Sequence, residues 1–183
     1  MVPYEQQINQ LKSKLISYKA IEVPRAVASA LNKTGQRVVT RTVKGVAKSL
    51  VVPQKEVRKR VYLSRANAKN MRVRVRNYYR GISAINLKAR DTGKGGWLGR
   101  KGRGVRAQGK RHYPNAFIAY GRKGNRHVFE RQGVDRFPLK VQRIQIKGAV
   151  DDIAPKVAER VLKQDFERLL VHDLKYRLRK FQV

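Results

Sequence analysis

The sequence predicts an α+β protein, an antiparallel sheet of four to five strands flanked by N-terminal helices and a long C-terminal helix. Three observations carry this reading. Apolar residues recur at three- and four-residue spacing toward both ends of the chain, they alternate with arginine in the middle, and glycine-rich turns punctuate that middle region. At 183 residues and 41% hydrophobic composition the chain can fold and bury a sizeable core. The expectation is a single domain over 1–183, with helices over 1–61, a sheet over 62–148 that carries a Gly/Arg-rich loop at 91–113, and a helix over 149–183.

Each element is justified by local pattern. Ile8, Leu11, Leu15 and Tyr18 are spaced to form one face of an amphipathic helix. A second helix is expected to begin near Pro24, since proline suits the first helical turn, and to run toward Leu50 with a stripe of Val27, Ala30, Leu31, Thr34, Val38, Val46 and Leu50. "PQKEVRKRV", from Pro53, reads as a short helix. In "MRVRVR", Met71, Val73 and Val75 alternate strictly with Arg72, Arg74 and Arg76, so a strand would set three apolar side chains on the core face and three guanidinium groups on the other. "GISAINLKAR" from Gly81 is the expected partner strand. "NAFIAYGRKGNRHVFERQ" reads as a hairpin turning at Gly121 to Asn125. A further strand covers Leu139 to Lys147, where the apolar phase shifts from Leu139 and Val141 to Ile144 and Ile146, which suggests a bulge near Gln142. Asp151 to Phe181 is helical, with Asp151 and Asp152 suited to its start through the helix dipole and Pro155 expected in the first turn.

Charge dominates the composition. Forty-four Lys and Arg against twelve Asp and Glu give a formal charge of +32, which an isolated monomer feels as self-repulsion, so a polyanion or an acidic surface is the expected partner. Thirty-one basic and four acidic residues lie between Arg37 and Lys147, whereas six carboxylates lie between Asp151 and Asp173. The absence of cysteine excludes disulfides, thiolate metal sites and cysteine nucleophiles. No run of eighteen apolar residues and no signal-like N-terminus is present, and the expectation is a soluble, intracellular protein without a membrane partner.

Catalytic chemistry is poorly represented. His112, His127 and His172 are not spaced to share a metal, no GxxxxGK[ST] order exists in "GKGGWLGRKGRG", and the adjacent Asp151 and Asp152 suit a helix start better than a catalytic pair. No catalytic residue, cofactor or metal is expected. For nucleic acid the inventory is richer. Arg72, Arg74 and Arg76 repeat about every 6.6 Å along a strand, comparable to phosphate spacing along one DNA strand. The row reads either as an ordinary solvated face or as a contact for phosphate or an acidic partner. Lys94 to His112 holds seven Lys or Arg, six Gly and no carboxylate. Its Arg100, Lys101, Arg103, Arg106, Lys110 and Arg111 are candidates for the same kind of contact, on a segment expected to bury little and to track a phosphate backbone without reading bases.

In order, "VPRAVASALNKTGQRVVTRTVKGVAKSL", "VVPQKEVRKRV", the apolar-basic strand, the Gly/Arg-rich loop and "PNAFIAYGRKGNRHVFERQG" resemble the minor tail protein Z family of lambda-like tailed phages and prophages, over about Val23 to Val150. The resemblance implies a structural virion protein without enzymatic activity: a tail-completion component at the head-proximal end of the tail, or neck, made in the host cytoplasm. It implies a homo-oligomeric ring of six subunits, with the tail terminator or tail tube and the double-stranded DNA genome as partners. A general nucleic-acid-binding protein of ribosomal or nucleoid-associated type is the alternative. The broad apolar helix faces favour assembly over it.

Overall fold

The computed structural model describes residues 4–92 and 104–181. The helices are α1 (Tyr4–Ser17), α2 (Val23–Ser49), α3 (Gln54–Arg58), α4 (Lys147–Val161) and α5 (Glu167–Phe181). The strands are short: β1 (Val61–Ser64), β2 (Arg74–Asn77), β3 (Ile82–Ser83), β4 (Arg90–Asp91), β5 (Val105–Ala107), β6 (Arg111–Tyr113), β7 (Ala116–Tyr120), β8 (Arg126–Arg131), β9 (Leu139–Val141) and β10 (Arg143–Ile144). The α+β class stands, but the described strands divide among four small sheets, β1–β2, β3–β10, β4–β5–β6 and β7–β8–β9, where one sheet was expected. The elements build two compact units, each described in turn.

The helical unit comprises the described residues of Met1–Thr42, Tyr62–Arg76 and Ala154–Val183. The expected break before Pro24 is absent, because a π-helical segment, Tyr18–Glu22, joins α1 to α2. Pro24 has no N–H, and its ring crowds the carbonyl one turn back. The wider turn, in which Val23 N–H donates to the Tyr18 carbonyl, lets the helix pass the proline. Ala26 and Ala30 are fully buried on α2. The Asn32 amide fixes the chain after β1, its Nδ2 donating to the Ala66 carbonyl at 2.9 Å while Ala66 N–H donates to its Oδ1 at 2.8 Å. Gly35 is required by close approach, since a Cβ there would stand 2.7 Å from Val73 Cγ1 and 2.9 Å from Leu63 Cδ1.

A second π segment, Leu162–Phe166, joins α4 to α5 and carries the buried Asp165. Arg37 Nη1 lies 2.7 Å from Asp165 Oδ1, Arg41 Nη2 2.9 Å from Oδ2, and Arg168 Nη2 3.2 Å from Oδ1. Farther along, Lys33 pairs with the buried Asp173 and Arg177 Nη1 with Glu22 Oε2 at 2.7 Å. Partners advance along α2 as they retreat along α5, so the two helices run antiparallel.

The second unit comprises the described residues of Val43–Val61 and Asn77–Ile153. Its largest buried side chains include Val46, Val57, Val61, Ile82, Leu87, Val105, Val128, Ile146 and Val150. "GISAINLKAR" is not one strand: β3 gives way to a 3₁₀ turn, Ala84–Leu87, that buries Ala84 and Leu87, and Lys88 adopts a left-handed conformation at φ 55° before β4. Its partner is β10, and the partner of β2 is β1, a strand too short to show a pattern in the sequence. The hairpin at Gly121 to Asn125 forms as expected, with Gly121 N–H donating to the Asn125 carbonyl at 2.8 Å. The phase shift near Gln142 is a change of sheet: β9 pairs with β8, whereas β10 pairs Ile144 with Ile82. Gln142 spans the change, its N–H donating to the Val128 carbonyl and its own carbonyl accepting from Ala84 N–H, both at 2.9 Å. α4 starts at Lys147, so Pro155 sits inside it and Asp151 and Asp152 lie beyond its opening residues. Asp151 accepts a hydrogen bond from the Tyr79 hydroxyl at 2.7 Å, which raises the phenol pKa.

Arg60 supplies the joint between α3 and the start of β3, donating to the carbonyls of Glu56, Arg80 and Gly81. Glu56 is buried and held below its ordinary value of 4.5: burial pushes it up, but hydrogen bonds from Lys59 and Asn86 outweigh that.

Val51 comes after α2 at φ 47°, with Val52 N–H donating to the Ala47 carbonyl at 3.0 Å, an arrangement that normally places glycine at the left-handed residue. Val51→Gly should raise stability by about 0.5–1 kcal/mol, the relief of left-handed strain exceeding the added unfolded-state entropy; urea denaturation measures this, and a loss would show the strain to be absent. Asp173 is held below its ordinary 3.8, because hydrogen bonds from Lys33, Ser29 and His172 outweigh the upward push of burial. A folded-state pKa below the unfolded one gives stability that is complete above about pH 4 and lost as pH falls through the folded value. The thermal midpoint should therefore fall as the protein is acidified below that range, and Asp173→Asn should lower it at neutral pH while flattening the acid limb.

Candidate nucleic-acid interface

The arginine row keeps the expected alternation. Val73 and Val75 are half-buried, Arg72, Arg74 and Arg76 are exposed, and β2 proper starts at Arg74. The row is set by packing on the opposite side, where Val73 meets α2 at Gly35. Met71, expected on the core face, is 50% exposed, since it precedes the paired strand.

The basic segment between Lys94 and His112 divides differently from expectation. Arg100, Lys101 and Arg103, together with Trp97, lie outside the described residues. The remainder enters a hairpin, β5–β6, and is not a loop that buries little. Val105 is fully buried in a cluster with Ala84, Ala116 and Val128. Because side chains alternate across a strand, burying Val105 turns Arg106 outward. The register then sets Arg106 opposite Arg90 of β4 on one side and His112 of β6 on the other. All three are exposed. Directly opposed strand residues stand about 4.5–5.5 Å apart, and like charges so placed are mutually destabilising. Arg90 and Arg106 therefore form a cationic pair that an anion would relieve.

Lys110 and Arg111 are adjacent in sequence and differ in role. Lys110 is exposed in the β5–β6 turn at φ 57°. Arg111 folds back, Nη1 donating to the carbonyls of Gln108 at 2.7 Å and Val51 at 3.3 Å, and Nη2 to that of Leu50. It ties down the chain just past α2, whose carbonyls at Val46, Ala47 and Lys48 already accept from Leu50, Val52 and Val51 N–H. The sequence could not reveal this, since nothing local distinguishes Arg111 from its neighbours. Arg90 was missed for a related reason: it closes a stretch read as a strand, and only the cross-strand register brings it to Arg106. Arg122, Lys123 and Arg126 are exposed at the tip of β7–β8.

The histidines stay apart, His112 on β6, His127 edge-on to Phe129 at 5.7 Å between ring centroids, and His172 beside Asp173. Among the described residues no group of three or more His, Cys, Asp or Glu could hold a metal ion, and no helix is long and apolar enough to cross a membrane.

Comparison with known proteins first gives the class: this is a phage tail protein, in keeping with a helix-bounded, strongly basic chain. Over residues 4–183 it matches the model of the family described as prophage minor tail protein Z (GPZ), and the chain belongs to that family. It is 29% identical over 179 residues to the tail completion protein of Escherichia phage N15, covering 94% of this chain and 95% of the relative. It is 28% identical over 182 residues to tail completion protein Z of Escherichia phage lambda, with 94% and 95% covered. No solved structure matches.

The difference between the exposed strand-face arginines and the carbonyl-bound Arg111 is testable. Arg111→Ala should cost about 1 kcal/mol, because the carbonyls of Leu50, Val51 and Gln108 lose a charged donor, whereas Arg90→Gln or Arg106→Gln should leave stability unchanged or raise it by about 0.5 kcal/mol as repulsion falls. Urea denaturation of the three single variants decides; equal losses would refute the division.

Proposed function

We propose that this chain is a tail-completion component at the head-proximal end of a phage tail. It forms part of a ring through which double-stranded DNA passes and is held by sequence-independent phosphate contacts. The observation that carries the reading is the near full-length relationship to two proteins named for tail completion. The formal charge of +32 supports the DNA contact, because a ring of like subunits sums its field over the lumen and attracts a phosphate backbone without reading bases. Arg72, Arg74 and Arg76, along β2 and the residues before it, and Arg90, Arg106 and Lys110, on the β4–β5–β6 sheet, are the described residues proposed to meet phosphate. Arg100, Lys101 and Arg103 extend the second set in sequence. Arg111 is removed from it as a contact residue because its guanidinium is held by backbone carbonyls. A ring of six, with the tail terminator or tail tube as neighbour, is the proposed assembly, and its role is structural.

Duplex binding tests the reading. Affinity should fall steeply with salt and differ little among equal-length duplexes of different sequence, and each arginine that contacts phosphate, once changed to glutamine, should reduce the slope of log affinity against log salt by about 0.9. Fluorescence anisotropy at several salt concentrations measures it. A slope unchanged in Arg72→Gln/Arg74→Gln/Arg76→Gln and in Arg90→Gln/Arg106→Gln would remove both sets from the interface. Subunit counting in purified tails tests the ring, and a single copy per tail would refute it.

A further inference from the structure

α1 extends past the element that accompanies it. The helix formed by α1, the π segment and α2 runs antiparallel to α5, and the last pairs along it are Glu22 with Arg177 at 2.7 Å and the Tyr18 hydroxyl with the Leu174 carbonyl at 3.0 Å. α5 is described to Phe181, about one turn past Arg177, whereas Leu15 and Leu11 lie about two and three turns before Glu22. Every side chain from Asn9 to Ser17 is exposed, including Leu11 at 60%, Leu15 at 64% and Ile16 at 69%. The overhang of α1 is about 20 Å. A helix of this length is marginal in water by itself, and its apolar line, Ile8, Leu11, Leu15, then Tyr18, has the spacing by which one helix enters the groove of another.

We infer that α1 is an assembly arm whose Ile8–Leu11–Leu15 seam packs on a second copy of this chain; the inference rests on the ring reading and assigns the surface that would build it. Charge selects the occupant. Tyr4 to Ser17 carry Glu5, Lys12 and Lys14, nearly neutral in a chain of formal charge +32. DNA, or a partner recognised by acidity, finds almost nothing on this arm to hold it. Two copies repel through most of their surface, so the contact between them belongs where charge is lowest and apolar area is uncovered. A head-to-tail contact, the arm of one copy on another surface of the next, builds a ring where the rotation closes, whereas a self-complementary patch would stop at a dimer.

The test compares the full chain with Leu11→Glu/Leu15→Glu. Native mass spectrometry should show a closed oligomer for the parent and a monomer for the variant, which should keep the parent's circular dichroism and cooperative unfolding because these side chains are exposed in their own unit. A photo-crosslinking residue at Leu15 in assembled tails should join the chain to another copy of itself. A variant that assembles like the parent, a variant without native circular dichroism or cooperative unfolding, or crosslinks only to a different tail protein would each overturn the arm. Copy number in the parent tails separates the two readings. Several copies with a fully assembling variant sink the arm alone, and a single copy sinks the ring and the arm together.

Discussion

Three guanidinium groups, from Arg37, Arg41 and Arg168, converge on the one carboxylate of Asp165, and this contact displays the constraint under which the chain folds. Twelve carboxylates must serve forty-four basic side chains. Anions are therefore placed where a joint between elements needs them: Asp165 and Asp173 between α2 and the C-terminal helices, Glu22 facing Arg177, Glu56 bonded to Lys59 and Asn86. Burying each carboxylate carries a desolvation cost that only paired, hydrogen-bonded geometry offsets. Backbone carbonyls act as further acceptors, for Arg60, which also lies 3.8 Å from Glu56 Oε2, and for Arg111. Arg60 holds α3 to the start of β3, and Arg111 holds the residues just past α2.

The same shortage explains the faces that remain. Once the buried joints have their anions, the exposed strand faces have few, and arginines stand in rows: Arg72, Arg74 and Arg76 along one strand, Arg90 and Arg106 across two. Such rows persist because the opposite faces are fixed by packing, Val73 against Gly35 in one unit and Val105 in the core of the other. The fold gains from the buried residue and accepts the repulsion outside. In a tail-completion protein the unmet charge belongs to the proposed DNA contact, and the proposed arm belongs to a helix that is nearly neutral.

Helices were legible in the sequence because their determinants are local. The three- and four-residue spacing around Ile8, Leu11 and Leu15 needs no tertiary information, nor does the strict alternation of Val73 and Val75 with arginine. The family was legible as well, through the order of pieces from "VPRAVASALNKTG" to "RHVFERQG", and the match over residues 4–183 bears it out. Even the phase change at Gln142 was visible, although its meaning was not, since a bulge and a change of sheet look alike along one chain.

The sequence by itself therefore determined the α+β class, the helical ends, the hairpin at Gly121 to Asn125, the outward arginine row on β2 and the family. Only the tertiary structure decided which strand pairs with which, that Val105 carries the basic segment into the core, that Arg111 binds carbonyls just past α2 while Arg106 faces outward beside Arg90, and that the side chains of α1 from Asn9 to Ser17 are left exposed. The physical reason is the range of the interactions. Periodicity and turn chemistry act between residues a few positions apart, whereas register, carbonyl capping and the end of a neighbouring helix join residues that are distant in the chain, such as Leu50 with Arg111 and Glu22 with Arg177.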